Sequence, residues 1–137
     1  MGAIAGFFKA LAGICETRPL DQALWRVEGD QAVVLLAGAS QYLPQGGAVR
    51  LEGPEVGKPV LLMRSADGDY RAYVNKCTHA GRRVDPAQDG RGLRCCSLSH
   101  STFDLEGAKQ SGPAKGNLTV LPVSHESGEL RITLPRQ

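Results

Sequence analysis

The sequence predicts a small all-β domain, an antiparallel sandwich or barrel, with a short helical segment at its N-terminus. Short apolar runs of strand length recur from residue 33 onwards, and turn residues separate them. Seventeen glycines in 137 residues also favour a loop-rich β protein over a helical bundle. A chain of this length is expected to form one domain whose core needs no disulfides.

The first segment, residues 1–14, is apolar and is interrupted by Lys9. Its large apolar residues recur at helical spacing, which predicts a short amphipathic helix: Ile4, Phe7, Phe8, Leu11 and Ile14. The segment is shorter than the roughly 20 residues that span a bilayer, and it lacks the order of a signal peptide. We expect it to pack on its own domain or on a second copy; a docking helix for a partner or a membrane surface is the alternative. We therefore predict an appendage at 1–32 and the main domain at 33–137.

The main domain contains a series of predicted strands. These are residues 33–37, 48–52, 59–65, 69–75, 92–95, 117–124 and 129–134. Asp67-Gly68 predicts a tight hairpin, because the turn requires a positive φ that glycine adopts freely. Residues 20–27 are compatible with either a helix or a strand.

Composition excludes several function classes. Sixteen basic and fourteen acidic residues leave a net charge of +2, which gives no reason to expect nucleic acid or a bilayer as partner. Four cysteines without a convincing export signal predict a reducing, cytoplasmic location and metal ligation in preference to disulfides. Cys15, on the apolar N-terminal stretch, is expected to be a small buried hydrophobe.

Two segments carry the candidate chemistry, Cys77-Thr78-His79 and Cys96-Ser97-Leu98-Ser99-His100. Two thiolates and two imidazoles suit a [2Fe–2S] cluster in which histidines replace two cysteines on one iron. The same four side chains also suit one tetrahedral zinc ion. Both segments follow predicted strands, so each is expected at the rim of the β structure.

The order of several fragments resembles the Rieske [2Fe–2S] family over residues 33–134. Residues 77–81 resemble the first cluster loop, and Phe103 to Gly107 resembles the strand and turn after the second. Residues 111–114 resemble the proline loop that covers the cluster, and the final hairpin, which ends in residues 128–134, also resembles that of the family.

The resemblance implies a role for particular residues. Cys77 and Cys96 would ligate the inner iron of a [2Fe–2S] cluster, and His79 and His100 the outer, more exposed iron. Two further residues are expected to contact the cofactor: Ser101, through its hydroxyl, and Pro113, through the covering loop.

The second loop departs from the family pattern. Cys96 lies at the usual offset before Phe103, but Ser99 occupies the usual histidine position, and His100 follows one residue later. We predict Cys96 as the ligand because it requires the smaller loop adjustment; Cys95 and an oxygen ligand from Ser99 are the alternatives. Neighbouring side chains of an extended segment point to opposite faces, so only one of the two cysteines should face the metal.

A second departure concerns the redox potential. High-potential Rieske subunits carry an extra cysteine in each loop, joined as a disulfide, and the matching positions here are Arg82 and Leu98. Phe103 replaces a tyrosine that donates a hydrogen bond to a cluster cysteine in those subunits. The resemblance is therefore to the Rieske-type ferredoxins, with a potential in the lower part of the family range.

These observations predict a one-electron carrier that passes electrons from a reductase to an oxygenase or another terminal redox enzyme. The chain is too short to add the catalytic domain of a Rieske oxygenase, so no substrate site of its own is expected. A small redox subunit of a larger complex, a zinc-stapled interaction module and a redox-sensing regulator are the alternatives. The N-terminal segment is expected to supply oligomer or complex contacts.

Overall fold

The computed structural model describes residues 15–77, 83–96 and 101–135. Within these residues the strands are β1 (Arg18–Pro19), β2 (Trp25–Glu28), β3 (Gln31–Leu35), β4 (Ala48–Leu51), β5 (Val60–Arg64), β6 (Tyr70–Val74), β7 (Val84–Pro86), β8 (Gly92–Cys95), β9 (Thr102–Asp104), β10 (Lys109–Ser111), β11 (Val120–Leu121), β12 (Val123–Glu126) and β13 (Glu129–Thr133). The helical elements of the described residues are one short α-helix, α1 (Leu36–Ala39), and two 3₁₀ helices, Gln22–Leu24 and Ser40–Tyr42.

The strands form three sheets. A central five-stranded sheet has the order β1-β4-β5-β6-β11, and a second sheet has the order β12-β13-β3-β2. The third sheet, β10-β9-β8-β7, carries the second candidate ligand segment. Neighbouring strands pair antiparallel except for β1 and β4, which are parallel. The predicted all-β class is confirmed.

The described part of the predicted appendage is built into these sheets. Trp25 on β2 pairs with Val34 on β3, and β3 in turn pairs with β13. The predicted boundary after residue 32 falls inside β3. The ambiguous segment 20–27 contains both a 3₁₀ turn and the start of β2. The helix predicted for residues 1–14 lies outside the described residues.

The predicted hairpin at Asp67-Gly68 joins β5 to β6. The two strands pair antiparallel from Val60 with Val74 to Arg64 with Tyr70. Gly68 has a φ of 91°, the left-handed conformation that a side chain would strain. The hairpin and the positive φ of Gly68 are confirmed, but the tight two-residue turn is wrong, because residues 65–69 connect the strands and Asp67 has no positive φ.

Two hydrophobic cores lie on opposite faces of the central sheet. Alternate residues explain the division: Leu62 and Ala72 face the first core, whereas Leu61 and Tyr73 face the second. The first core packs the central sheet against the β12-β13-β3-β2 sheet, and it includes Trp25, Val34, Leu51, Val60, Leu130 and Ile132. The second core packs it against the β7–β10 sheet, and it includes Met63, Cys77, Val84, Leu93, Cys95, Phe103, Ala114 and Leu118. Burial on both faces explains the uninterrupted apolar run of β5.

Candidate metal centre

The first ligand segment starts directly after β6. Cys77 is buried, with 1% of its surface exposed, and belongs to the second core. Just before it, the fully buried Asn75 accepts a hydrogen bond at Oδ1 from the backbone N–H of Val84, at 2.9 Å. Asn75 also donates its own backbone N–H to the carbonyl of Pro59, at 2.8 Å. The bond to Val84 holds the two ends of the first loop together at its base, and the bond to Pro59 ties Asn75 to the residue before β5.

The second ligand segment starts at the end of β8. The backbone N–H of Cys95 donates to the carbonyl of Ser101 at 2.8 Å, which closes the base of this loop. The N–H of Cys96 donates to the carbonyl of Arg83 at 2.9 Å. Cys95 also lies opposite Val84 in the β7–β8 ladder. The bases of the two loops are therefore adjacent and joined by main-chain hydrogen bonds.

The two neighbouring cysteines differ in their surroundings. Cys95 is fully buried in the second core, which also contains Cys77. Cys96 forms a disulfide with Cys15, with a Cα–Cα distance of 5.3 Å. This is at odds with Cys96 as a thiolate ligand, because a sulfur bound in a disulfide carries no thiolate charge. It also corrects two expectations, that Cys15 is simply a buried hydrophobe and that the cysteines avoid disulfides.

The histidine predictions lie outside the described residues. His79 belongs to the 78–82 gap, which also contains Arg82, and His100 belongs to the 97–100 gap, which also contains Leu98 and Ser99. Their predicted roles stay predictions.

The predicted covering loop, residues 111–114, packs on Ser101. The side chain of Ser101 is fully buried and accepts a hydrogen bond at Oγ from the N–H of Ala114, at 2.8 Å. Gly112 has a φ of 91°, and a Cβ there would lie 2.5 Å from the Cα of Ser101. Pro113 itself is exposed. Since Ser101 accepts this bond, its hydroxyl hydrogen is available to a further acceptor.

An anchor that sequence reasoning missed lies beside the disulfide. Asp85 is 3% exposed, and its carboxylate accepts hydrogen bonds from the N–H of Glu16 at 2.7 Å and of Thr17 at 3.2 Å. The hydroxyl of Thr17 donates to it as well, and Arg94 lies 3.9 Å away. In sequence, Asp85 appears only as one acidic residue in a short strand, so nothing there signals its partners.

Tyr73 ties the central sheet to the third sheet across the second core. Its hydroxyl donates to the carbonyl of Leu105, in the turn after β9, at 2.5 Å. Burial raises the pKa of Tyr73 to about 12; the charge of Arg71 opposes this shift, and the carboxylates of Glu106 and Asp104 add to it. The side chain is therefore a neutral hydrogen-bond donor that fixes the position of this turn.

A depression of about 450 Å³ opens beside Cys77. Lys58, Lys76 and Arg83 contribute to its lining, so its rim is basic. Arg83 is partly neutralised by Glu52, whose carboxylate lies 3.2 Å from its Nε. The surface nearest the first ligand segment is therefore positively charged.

A family model described as the Rieske [2Fe-2S] domain matches residues 32–122, about two-thirds of the chain. The chain belongs to the Rieske [2Fe–2S] domain family. A curated relative, the glycine betaine monooxygenase oxygenase subunit of Pseudomonas aeruginosa, is 33% identical over 76 residues. That match covers 53% of this chain and 17% of the relative, so the chain spans only a small part of that protein.

Solved Rieske structures share the fold. The ferredoxin of carbazole 1,9a-dioxygenase from Nocardioides aromaticivorans superposes with a TM-score of 0.60 at 21% identity, covering 75% of this chain and 98% of the ferredoxin. The quaternary ammonium Rieske monooxygenase CntA, in complex with L-carnitine, gives a TM-score of 0.56 at 17% identity. This second match covers 71% of this chain and 30% of the monooxygenase. The Rieske domain of this chain therefore corresponds to nearly all of one protein and a fraction of another.

The described residues suit a Rieske cluster. Iron–sulfur clusters are held by cysteine thiolates and tuned by hydrogen bonds to sulfur, and the base of the two loops offers buried thiols. Two residues before Cys77, the buried Nδ2 of Asn75 lacks a hydrogen-bond partner in the described part of the chain. An unsatisfied buried donor is costly, and a sulfur acceptor would relieve that cost. No helix among the described residues is long and apolar enough to cross a membrane.

Proposed function

We propose that this chain carries single electrons from a reductase to an oxygenase or another terminal redox enzyme. The [2Fe–2S] cluster would be held by Cys77, His79, His100 and one cysteine of the 95–96 pair, for which Cys96 is the sequence-based prediction. The observation that carries the proposal is that the bases of both ligand loops meet at one core, where buried cysteines lie. When bound, the cluster supplies one-electron redox chemistry.

The hydrogen-bonded strands at the base of the two loops suit electron transfer because they keep the loop bases in a fixed position. Main-chain bonds join Cys96 to Arg83 and Cys95 to Ser101, and the Asn75 side chain joins the first loop to β7. Groups held in place by a rigid sheet need little rearrangement when the local charge changes. The N–H and O–H groups of Asn75 and Ser101 are suited to donate to sulfur and so to stabilise added negative charge.

The basic depression beside Cys77 is the proposed docking surface for a redox partner. Lys58 and Lys76 would attract an acidic partner surface and speed its encounter at low salt. The similarity to a dioxygenase ferredoxin supports an oxygenase as acceptor. We also propose that the chain has no substrate site of its own and that it acts in the cytoplasm.

The test is electron paramagnetic resonance of the dithionite-reduced protein, combined with iron and zinc analysis of the same sample. We expect stoichiometric iron and a rhombic signal whose average g value lies below that of all-cysteine clusters. Stoichiometric zinc without such a signal would show that the chain is a zinc-stapled interaction module and not an electron carrier. Association on size-exclusion chromatography with a larger redox protein would indicate a subunit in place of a free carrier.

A further inference from the structure

We propose that Cys95, and not Cys96, supplies the second thiolate, and that Cys96 is held instead in the disulfide with Cys15. The inference rests on the proposed function, since it names the ligand of the same cluster. It combines the strand alternation of β8, the anchoring of the N-terminal segment and the covalent state of Cys96.

The alternation of β8 separates the two cysteines. Leu93 and Cys95 are buried in the second core, as expected for residues two apart on one strand. Arg94 points to the other face, where its guanidinium lies 3.8 Å from Glu16 and 3.9 Å from Asp85. Cys96 follows in the same alternation and meets the N-terminal segment on the Arg94 face. Only Cys95 therefore shares the core that contains Cys77.

The buried carboxylate of Asp85 holds the N-terminal segment in place. Asp85 receives hydrogen bonds from Glu16 and Thr17, the two residues directly after Cys15. A buried carboxylate is tolerated only when it is hydrogen-bonded, and these donors satisfy it. These hydrogen bonds place Cys15 beside Cys96, so that the disulfide forms between residues that are already held in position.

The disulfide explains the unusual spacing of the second loop. With Cys95 as ligand, the spacing to His100 is C-x4-H, and Cys96 is the first of the intervening residues. Bound to Cys15, Cys96 is withdrawn from the competition for iron and the loop base is fixed. The covalent tie runs from the second loop to the N-terminal segment.

The experiment compares single serine variants of the full chain: Cys15→Ser, Cys95→Ser and Cys96→Ser. Iron content and the reduced paramagnetic spectrum report the cluster, while alkylation and peptide mass analysis before and after reduction report the disulfide. We expect Cys95→Ser to lose its iron and keep the disulfide. Cys96→Ser and Cys15→Ser are expected to lose the disulfide and keep wild-type iron and g values.

Loss of iron in folded Cys96→Ser protein, or its retention in Cys95→Ser, would overturn the assignment. If Cys96→Ser fails to fold, Cys95→Ser decides the ligand, because it removes only the proposed thiolate, and Cys15→Ser tests the disulfide without altering either candidate ligand. Alkylation of Cys96 in the native wild-type protein before reduction would equally overturn the proposal. Wild-type protein without any iron–sulfur signal would overturn the proposed function and the ligand assignment together, whereas a normal signal that requires Cys96 overturns the assignment alone.

Discussion

The two faces of the central sheet carry cores of different chemistry. The first core joins aliphatic side chains and Trp25, and its described members include no thiol. The second core contains Cys77, Cys95 and Tyr73, and hydrogen-bonding groups of Asn75 and Ser101 lie at its border. One sheet thus separates a face that supplies stability from a face that supplies reactive and polar groups. Substitutions on the first face are therefore expected to lower the stability, and substitutions on the second face to affect the metal centre.

The largest expected effect is that of Cys77→Ser on the second face. Under the proposed function this change removes a thiolate ligand, so iron and the reduced paramagnetic signal should be lost completely. Because the apolar frame is retained, circular dichroism should still show the β fold. A variant that kept the full signal would exclude Cys77 from the metal centre.

On the first face, Leu62→Ala should have the opposite result. Leu62 is fully buried, and truncation of such a leucine costs about 2–5 kcal/mol of unfolding free energy. Denaturant unfolding should detect that loss, while the g values of the remaining folded protein should be unchanged. A shifted spectrum would show that the two cores are coupled and break the comparison.

Tyr73 gives the second face a stability that depends on pH. Its pKa is raised from 10.0 to about 12 in the folded protein, because burial disfavours the phenolate. A raised pKa means that the folded state holds the proton more tightly. The stability that the protonated Tyr73 contributes is therefore complete below the unfolded pKa and is lost as the pH rises from 10.0 to about 12.

Chemical unfolding of wild type and Tyr73→Phe across this pH window measures the effect. The stability advantage of wild type should shrink by about 2 kcal/mol over the window, following the usual relation between pKa and free energy. A stability difference between the two proteins that stays constant with pH would contradict a raised pKa of Tyr73. Tyr70→Phe serves as the matched control, because Tyr70 is only partly buried and its ring lies against His125.

The smallest expected effect is that of Asp85→Ala. It removes the acceptor for Glu16 and Thr17, which should cost about 1 kcal/mol of unfolding free energy. Asp89→Ala is the control, since Asp89 accepts a local hydrogen bond from the backbone of Arg91 in an exposed turn. Thermal unfolding should separate the two variants; equal melting temperatures would show that the N-terminal anchor contributes nothing.

The fold was largely predictable because its longer strands leave an apolar record in the sequence. The run 117–124 was nevertheless predicted as one strand, whereas Pro122, which has no N–H for a ladder, separates β11 from β12 in a different sheet. The two- and three-residue strands β1, β7 and β10 were missed, because so few residues carry no periodicity.

The site was predictable as a list of residues but not as an arrangement. The cysteine and histidine motifs are visible in sequence, and the family resemblance predicts a covering loop at residues 111–114, which the structure places against Ser101. The pairing of Cys15 with Cys96 joins positions 81 residues apart, which only tertiary structure brings together. The sequence argument chose Cys96 from its offset to Phe103, but it could not show which of the adjacent cysteines meets the second core, because that depends on the faces of β8.

Mössbauer spectroscopy of protein grown on isotopically enriched iron tests the central claim most directly. A cluster held on the second face by two cysteines and two histidines should give two unequal ferric sites in equal amounts, one with sulfur ligands alone and one with nitrogen ligands. Reduction should then change one site and leave the other ferric. Two equivalent sites, or no bound iron in protein that contains zinc, would contradict the account.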